Sequence, residues 1–318
     1  MLKNPLLFIY KTVTLNYKTT FMRKLIISIG LIFQILTTYG QGNFVLDTIY
    51  SPAKIEAKNV AIIYLGGSDG GMPDWEFERD SLPKLGFPTL GIGYFKTEHT
   101  PDTLQLIPLE YFIQAINDFK SKPEIKGKKL VLEGMSRGSD LALLLASMFP
   151  DKIDGVITMA TSPVTWNGVG FHPELKRWVS SWTYKGEEIP FMELIWPFDI
   201  SGKWIDYRKW YTQSYEKQPA EMREKATIKV ENIKGPILLF SGEEDRMMPA
   251  KDWGDLIISR LRKNNFRYDF QHFFYPNVNH SFSYTDTERQ GGTKEANYKA
   301  WQDFKRKYLE FLNQLNSM

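Results

Sequence analysis

The feature that most constrains this chain is the run Lys128-Lys-Leu-Val-Leu-Glu-Gly-Met-Ser-Arg-Gly-Ser-Asp140. An apolar stretch, Leu130 to Leu132, stops at Gly134-Met135-Ser136-Arg137-Gly138, and a helix-like segment, Asp140 to Phe149, follows at once. A G-x-S-x-G pentapeptide between a strand and a helix reads as a nucleophile elbow, a strained turn that pushes the serine hydroxyl into the open. The positions flanking the serine must be small, because strand and helix backbones nearly touch there. A simple structural turn is the competing reading.

A serine hydroxyl is a poor nucleophile and needs a base, which in turn needs a group to orient it. The chain has four histidines. His99 precedes the elbow, His172 lies in an irregular stretch and His272 lies inside a strand pattern. His280 follows the last long strand, so it is the expected base. Asp245 follows the strand Ile237 to Phe240 in the turn Gly-x-x-Asp-x-x-x-Pro, which favours it over Glu243 and Glu244 as the acid. The order Ser136, Asp245, His280, each in a loop after a strand, is that of the α/β-hydrolase fold.

The remaining pattern agrees with an α/β class. Val60 to Leu65 is continuously apolar, as in a strand buried on both faces. It breaks into Gly66-Gly67-Ser68-Asp69-Gly70-Gly71, a loop whose backbone N–H groups can serve an oxyanion hole. A phosphate loop is the alternative, but the Lys-Ser/Thr ending is missing and the spacing is not G-x-G-x-x-G. Asp74 to Leu85 reads as a helix capped by Asp74 and closed by Gly86. Phe87 to Ile92 and Gly155 to Ala160 read as strands, and Pro108 to Lys120 as a helix. After Gly235 to Phe240 come a helix, Ala250 to Lys263, a strand, Tyr268 to Tyr275, and a closing helix, Lys294 to Leu315. Strands alternating with helices imply a mostly parallel sheet with helices on both faces.

The alternation fails between residues 162 and 231, which hold Trp166, Trp178, Trp182, Trp196, Trp204 and Trp210. The stretch is too long for a plain loop, and the expectation is a Trp-rich cap inserted over the sheet's carboxyl edge. Most of these tryptophans should pack the cap onto the body, with one or two lining a pocket.

At the N-terminus, Met22-Arg23-Lys24 precedes an apolar run, Leu25 to Leu36, and then Thr38-Tyr39-Gly40. This reads as a signal peptide, about Met22 to Gly40, with a mature chain from Gln41 that is periplasmic or secreted and keeps no membrane span. The expected division is residues 1–40 as extension and signal peptide and 41–318 as the hydrolase domain. The net charge of +3 gives no electrostatic case for nucleic acid. There is no cysteine, which excludes disulfides, thiolate metal sites and a Cys nucleophile. No His/carboxylate spacing suggests a metal, and no cofactor is expected.

Four segments, Ile63-Tyr-Leu-Gly-Gly-Ser-Asp-Gly-Gly71, Gly86-Phe-Pro-Thr-Leu-Gly-Ile-Gly-Tyr-Phe95, Glu133-Gly-Met-Ser-Arg-Gly-Ser-Asp140 and Ser162-Pro-Val-Thr-Trp-Asn-Gly168, carry a family resemblance. Together they resemble the catalytic domain shared by acyl-CoA thioesterases and bile acid-CoA:amino acid N-acyltransferases. The resemblance runs from Val60 to the C-terminus and implies a triad of Ser136, Asp245 and His280. It also implies oxyanion donors at Arg137 N–H and the loop Gly66 to Ser68, with Gly67 and Ser68 central. The acyltransferases use a Cys nucleophile, so Ser136 points to hydrolysis. The family's animal members carry an N-terminal β-sandwich, for which the residues between Gln41 and Lys58 leave no room. Export separates the chain from cytoplasmic acyl-CoA and points to another small-molecule acyl ester, thioester or amide. A peptidase of the prolyl-oligopeptidase kind and a non-catalytic binding protein on the same fold are the alternatives.

Overall fold

The protein is described by a computed structural model over residues 43–195 and 206–317. The expected signal peptide, Trp196 and Trp204 lie outside the described residues. The elements below belong to the unit that begins at Val45.

Its centre is a seven-stranded sheet in the order β1-β3-β2-β5-β6-β9-β10, comprising β1 (Asp47–Ser51), β2 (Val60–Leu65), β3 (Thr89–Gly93), β5 (Lys129–Met135), β6 (Gly155–Met159), β9 (Ile237–Gly242) and β10 (Phe270–Tyr275). Only β1 runs antiparallel to its neighbour; every other pairing is parallel. Every residue of β2 is fully buried. Helices cover both faces, so neither side of the strand offers a place for a polar residue. Each such buried Val, Ile or Leu contributes about 1.5–3 kcal/mol.

Among the helices, α2 (Leu109–Ser121), α3 (Arg137–Met148) and α6 (Ala250–Lys263) connect strands, and α8 (Lys294–Ser317) closes the chain. On the α8 side, Phe304, Tyr308, Phe311, Leu312 and Leu315 join Val60, Ile62, Val131, Ile157 and Phe240 in one apolar cluster. On the other side α3 is buried from Arg137 to Ser147.

The helix expected from Asp74 differs. A π-helical turn, Phe77–Ser81, runs into a short α-helix, α1 (Leu82–Lys84), with Pro83 at its start. Asp74 caps nothing; it pairs with Arg79. A proline cannot donate to the preceding turn, and the chain starts its α-helix only there. Gly86, at φ +90°, closes the element as expected. Pro108 is likewise not helical. With Ile107 it forms β4, which pairs with β7 (Trp182–Tyr184), and β7 pairs with β8 (Glu187–Glu188).

β7 and β8, with α4 (Tyr207–Lys217) and α5 (Ala220–Ala226), lie in the stretch between β6 and β9. A second apolar cluster holds it down. Trp166 stacks on Trp253 of α6 with ring centroids 5.6 Å apart, and Val164, Met192 and Ala226 fill in around them. Trp166 and Trp182 are buried packing residues, whereas Trp178 and Trp210 line a cavity. Among the described residues no helix is long and apolar enough to cross a membrane.

Candidate active site

The serine turn is built by exclusion of side chains. Ser136 follows β5 directly and precedes α3, at φ 55° and ψ −122°. A non-glycine residue held there costs roughly 1–3 kcal/mol and persists only when its surroundings enforce it. Here they do. A Cβ on Gly134 would sit 2.1 Å from Gly138 O, and one on Gly138 would sit 2.2 Å from Leu65 O. Ser136 N donates to Met159 O at 2.9 Å, and Ser139 Oγ closes the turn onto Gly134 O and Met159 O at 2.6 and 2.7 Å.

Asp245 leaves the carboxyl end of β9 and His280 follows β10. Their side chains meet, with His280 Nδ1 2.8 Å from Asp245 Oδ2. The other oxygen, Oδ1, accepts from Met247 N and Met248 N at 2.7 and 3.0 Å. Both side chains are buried. A carboxylate only accepts, so Nδ1 carries the proton and Nε2 is left as the basic nitrogen. Glu243 and Glu244 take no part, and Glu244 is exposed. Among the described residues no hydrogen bond joins Ser136 Oγ to His280 Nε2; the two side chains share a cavity.

Gly67 brings the loop after β2 against the serine. A Cβ on it would lie 3.1 Å from Ser136 Cβ and 3.6 Å from Ser136 Oγ, so glycine is what permits the approach. Arg137 is the first residue of α3, and its N–H has no intrahelical acceptor. The cavity these residues share has a volume of about 450 Å³. Gly67, Ser68, Ser136, Arg137 and His280 lie on one part of its wall. Trp178, Tyr207, Trp210 and Tyr211 supply aromatic surface, and Met135, Met247 and Met248 thioethers. Such a lining suits an apolar group held beside a few polar ones.

Residues 107–285 match the family described as BAAT / Acyl-CoA thioester hydrolase C terminal. The chain belongs to that family. Acyl-coenzyme A thioesterase 1 of Homo sapiens is 26% identical over 223 residues, covering 69% of this chain and 48% of that protein. Acyl-coenzyme A amino acid N-acyltransferase 1 of Mus musculus is 26% identical over 224 residues, covering 69% and 47%. The chain thus spans about half the length of these relatives. An alpha/beta hydrolase enzyme from a Medee basin deep-sea metagenome library superposes with a TM-score of 0.51 at 16% identity, covering 87% of this chain and 96% of that one. Porphyromonas gingivalis dipeptidyl peptidase 4 gives 0.51 at 14%, covering 83% and 34%. At such identities the likeness establishes the fold, and the fold is that of the α/β-hydrolases. The span matched to the BAAT / thioester hydrolase family contains Ser136, Asp245 and His280.

Two features of this BAAT-family site escaped the sequence reading. The first is the Arg137 side chain, considered there only for its backbone N–H. It is buried and donates through Nη2 to Asn167 O and, at 2.7 Å, to Ser181 Oγ, tying the elbow to the stretch after β6. Asp140, one turn on, is pushed up to about 8 by burial, against the pull of Arg137. A long cation beside a buried serine signals that acceptors must come from elsewhere in the chain. The second is His272, expected as a residue in a strand. It lies in β10 as expected, and its Nε2 lies 2.6 Å from Ser241 Oγ while its Nδ1 lies 3.0 Å from Asp255 Oδ1. His99 pairs with Asp47 on the surface, and His172 accepts from Leu175 N.

Proposed function

We propose that the chain is an exported serine hydrolase that cleaves a small acyl ester or thioester through Ser136, His280 and Asp245. The observation that carries this reading is the Asp245–His280 hydrogen bond at the cavity into which the strained Ser136 opens. His280 Nε2 takes the hydroxyl proton as Ser136 Oγ attacks the carbonyl carbon, while Asp245 holds the imidazolium in place. The carbonyl oxygen becomes an oxyanion, which the N–H of Arg137 and the Gly67–Ser68 loop receive. The tetrahedral intermediate collapses, His280 protonates the departing alcohol or thiol, and an acyl-Ser136 remains. A water, deprotonated by His280, attacks that acyl group, and the second collapse returns the proton to Ser136 Oγ and releases the acid.

The described parts of residues 162–231 act as the cap that shapes the acyl pocket, with Trp178 and Trp210 on its wall. The thioesterase and N-acyltransferase names of the relatives support an acyl carbonyl as the reacting group. Ser136 in place of a cysteine favours water as the acceptor, and export, carried by Met22–Gly40, favours a substrate other than acyl-CoA. The test is a panel of p-nitrophenyl esters, acyl thioesters and anilides against wild type and Ser136→Ala. Ester or thioester turnover lost in the variant supports the reading, and turnover retained above background in Ser136→Ala overturns it. Fractionation of expressing cells tests export separately.

A further inference from the structure

On the α8 side of the elbow lies a second cavity, of about 290 Å³. It is bounded by Trp75, Phe77, Trp301 and Phe304, and three acidic residues, the exposed Glu76 and the buried Glu78 and Glu133, lie on its wall. Met135 lines both this cavity and the first. Glu78 is 1% exposed and Glu133 5%. Tyr308 OH donates to Glu133 Oε2 at 2.6 Å and the Glu78 and Glu133 carboxyls hydrogen-bond each other, whereas among the described residues Glu78 Oε2 and the nearby Tyr64 OH have no hydrogen-bond partner.

Two carboxyl groups in so apolar a place cannot both ionise alone. Burial, reinforced by Glu133, holds Glu78 well above the usual carboxylate range, and burial pushes Glu133 up to about 7. The other ionisable groups near the pair are Tyr308 from α8, Tyr64 from β2 and, on the cavity wall, Glu76, while Asp74 and Arg79 act on Tyr64. Asp74 and Arg79 are engaged with each other. Among the described residues, therefore, no cation pairs with these carboxyls, and aromatic faces enclose them. That combination complements a cation that is also apolar: the rings attract it through their quadrupoles, and the carboxylate accepts its N–H groups. Lys305 Nζ lies 5.8 Å from the Trp301 ring centroid without lining the cavity.

We propose that this cavity binds a small organic ammonium ion, its N–H groups on Glu78 and Glu133 and its carbon body against Trp75 and Trp301. Binding favours the ionised carboxylate, so affinity rises as pH is raised through the Glu133 value of about 7. The site is independent of the hydrolase reading, because no step assigned to Ser136 passes through Glu78.

The experiment is calorimetric titration of the full chain, its Ser136 first blocked by a fluorophosphonate or replaced by alanine, with benzylamine and, as a neutral isostere, benzyl alcohol. At pH 8 the amine should bind about tenfold tighter than the alcohol, the size of one charge-assisted hydrogen bond. Glu133→Gln, which keeps shape and removes the charge, should erase that difference, and Trp75→Leu should weaken both ligands. Equal binding of amine and alcohol to wild type, no binding of either, or a preference for amine that survives in Glu133→Gln overturns the proposal.

Discussion

His280 and His272 both pair through Nδ1 with an aspartate, at 2.8 Å to Asp245 and 3.0 Å to Asp255. His272 goes one bond further, since its Nε2 accepts from Ser241 Oγ at 2.6 Å. By residue types and hydrogen bonds alone, Ser241-His272-Asp255 is the more complete Ser-His-Asp chain. Its surroundings differ. Ser241 sits inside β9 at 1% exposure, and the His272 ring packs so tightly on α6 that a Cβ on Gly254 would lie 2.4 Å from Cε1. Neither residue lines the 450 Å³ cavity. Ser136, in contrast, stands on a positive-φ turn at a cavity wall, with Gly67 against it. Residue types make a relay. The turn and the void make a candidate site.

This contrast can be broken at each level. The largest effect belongs to the serines: Ser136→Ala should lower ester turnover by at least about 10⁴-fold, while Ser241→Ala leaves turnover within error. A p-nitrophenyl ester assay of the two variants decides between them. Next come the aspartates. Asp245→Asn should cost about 10³- to 10⁴-fold in kcat with little change in KM, because the amide no longer fixes the tautomer with Nε2 free. Asp255 has a half-exposed side chain shared with Lys251, so Asp255→Asn should leave kcat unchanged. A smaller loss, about 10- to 100-fold in kcat, is expected for Gly67→Ala, whose methyl would crowd Ser136; a full kinetic curve reads it.

The smallest effect is a pH term. Burial lowers the His272 pKa from 6.5, against the pull of Asp255. The folded state therefore resists protonation where the unfolded chain accepts it. The neutral ring's contribution is present above 6.5 and is lost as pH falls below it towards the folded value. Thermal melts of wild type should thus lose more stability between pH 7 and pH 5.5 than those of His272→Gln. Equal slopes would remove His272 from the account.

The parts legible in the sequence are those where a local pattern has one structural solution. A continuously apolar Val60–Leu65 can only be a strand covered on both faces, and G-x-S-x-G between strand and helix fixes the turn at Ser136. Asp245 and His280 were legible by order, since each follows a strand of the parallel sheet. What stayed hidden depends on partners far along the chain. The Ser241–His272 bond spans adjacent strands, Arg137 finds its acceptors at Asn167 and Ser181, and Glu78 meets Glu133 only once the sheet has formed. The error at Asp74 is of another kind. The segment is helical and Gly86 closes it, but Asp74 pairs with Arg79 instead of capping, and a π-helical turn precedes the short α-helix that holds Pro83.

The central claim is that chemistry belongs to the histidine at the cavity and not to the one in the sheet. Intact-mass analysis after treatment with a fluorophosphonate probe tests it most directly, on wild type, His280→Ala and His272→Ala. The account predicts a single adduct, mapping to Ser136, in wild type and in His272→Ala, and none in His280→Ala. An adduct that persists in His280→Ala, or one that maps to Ser241, would contradict it.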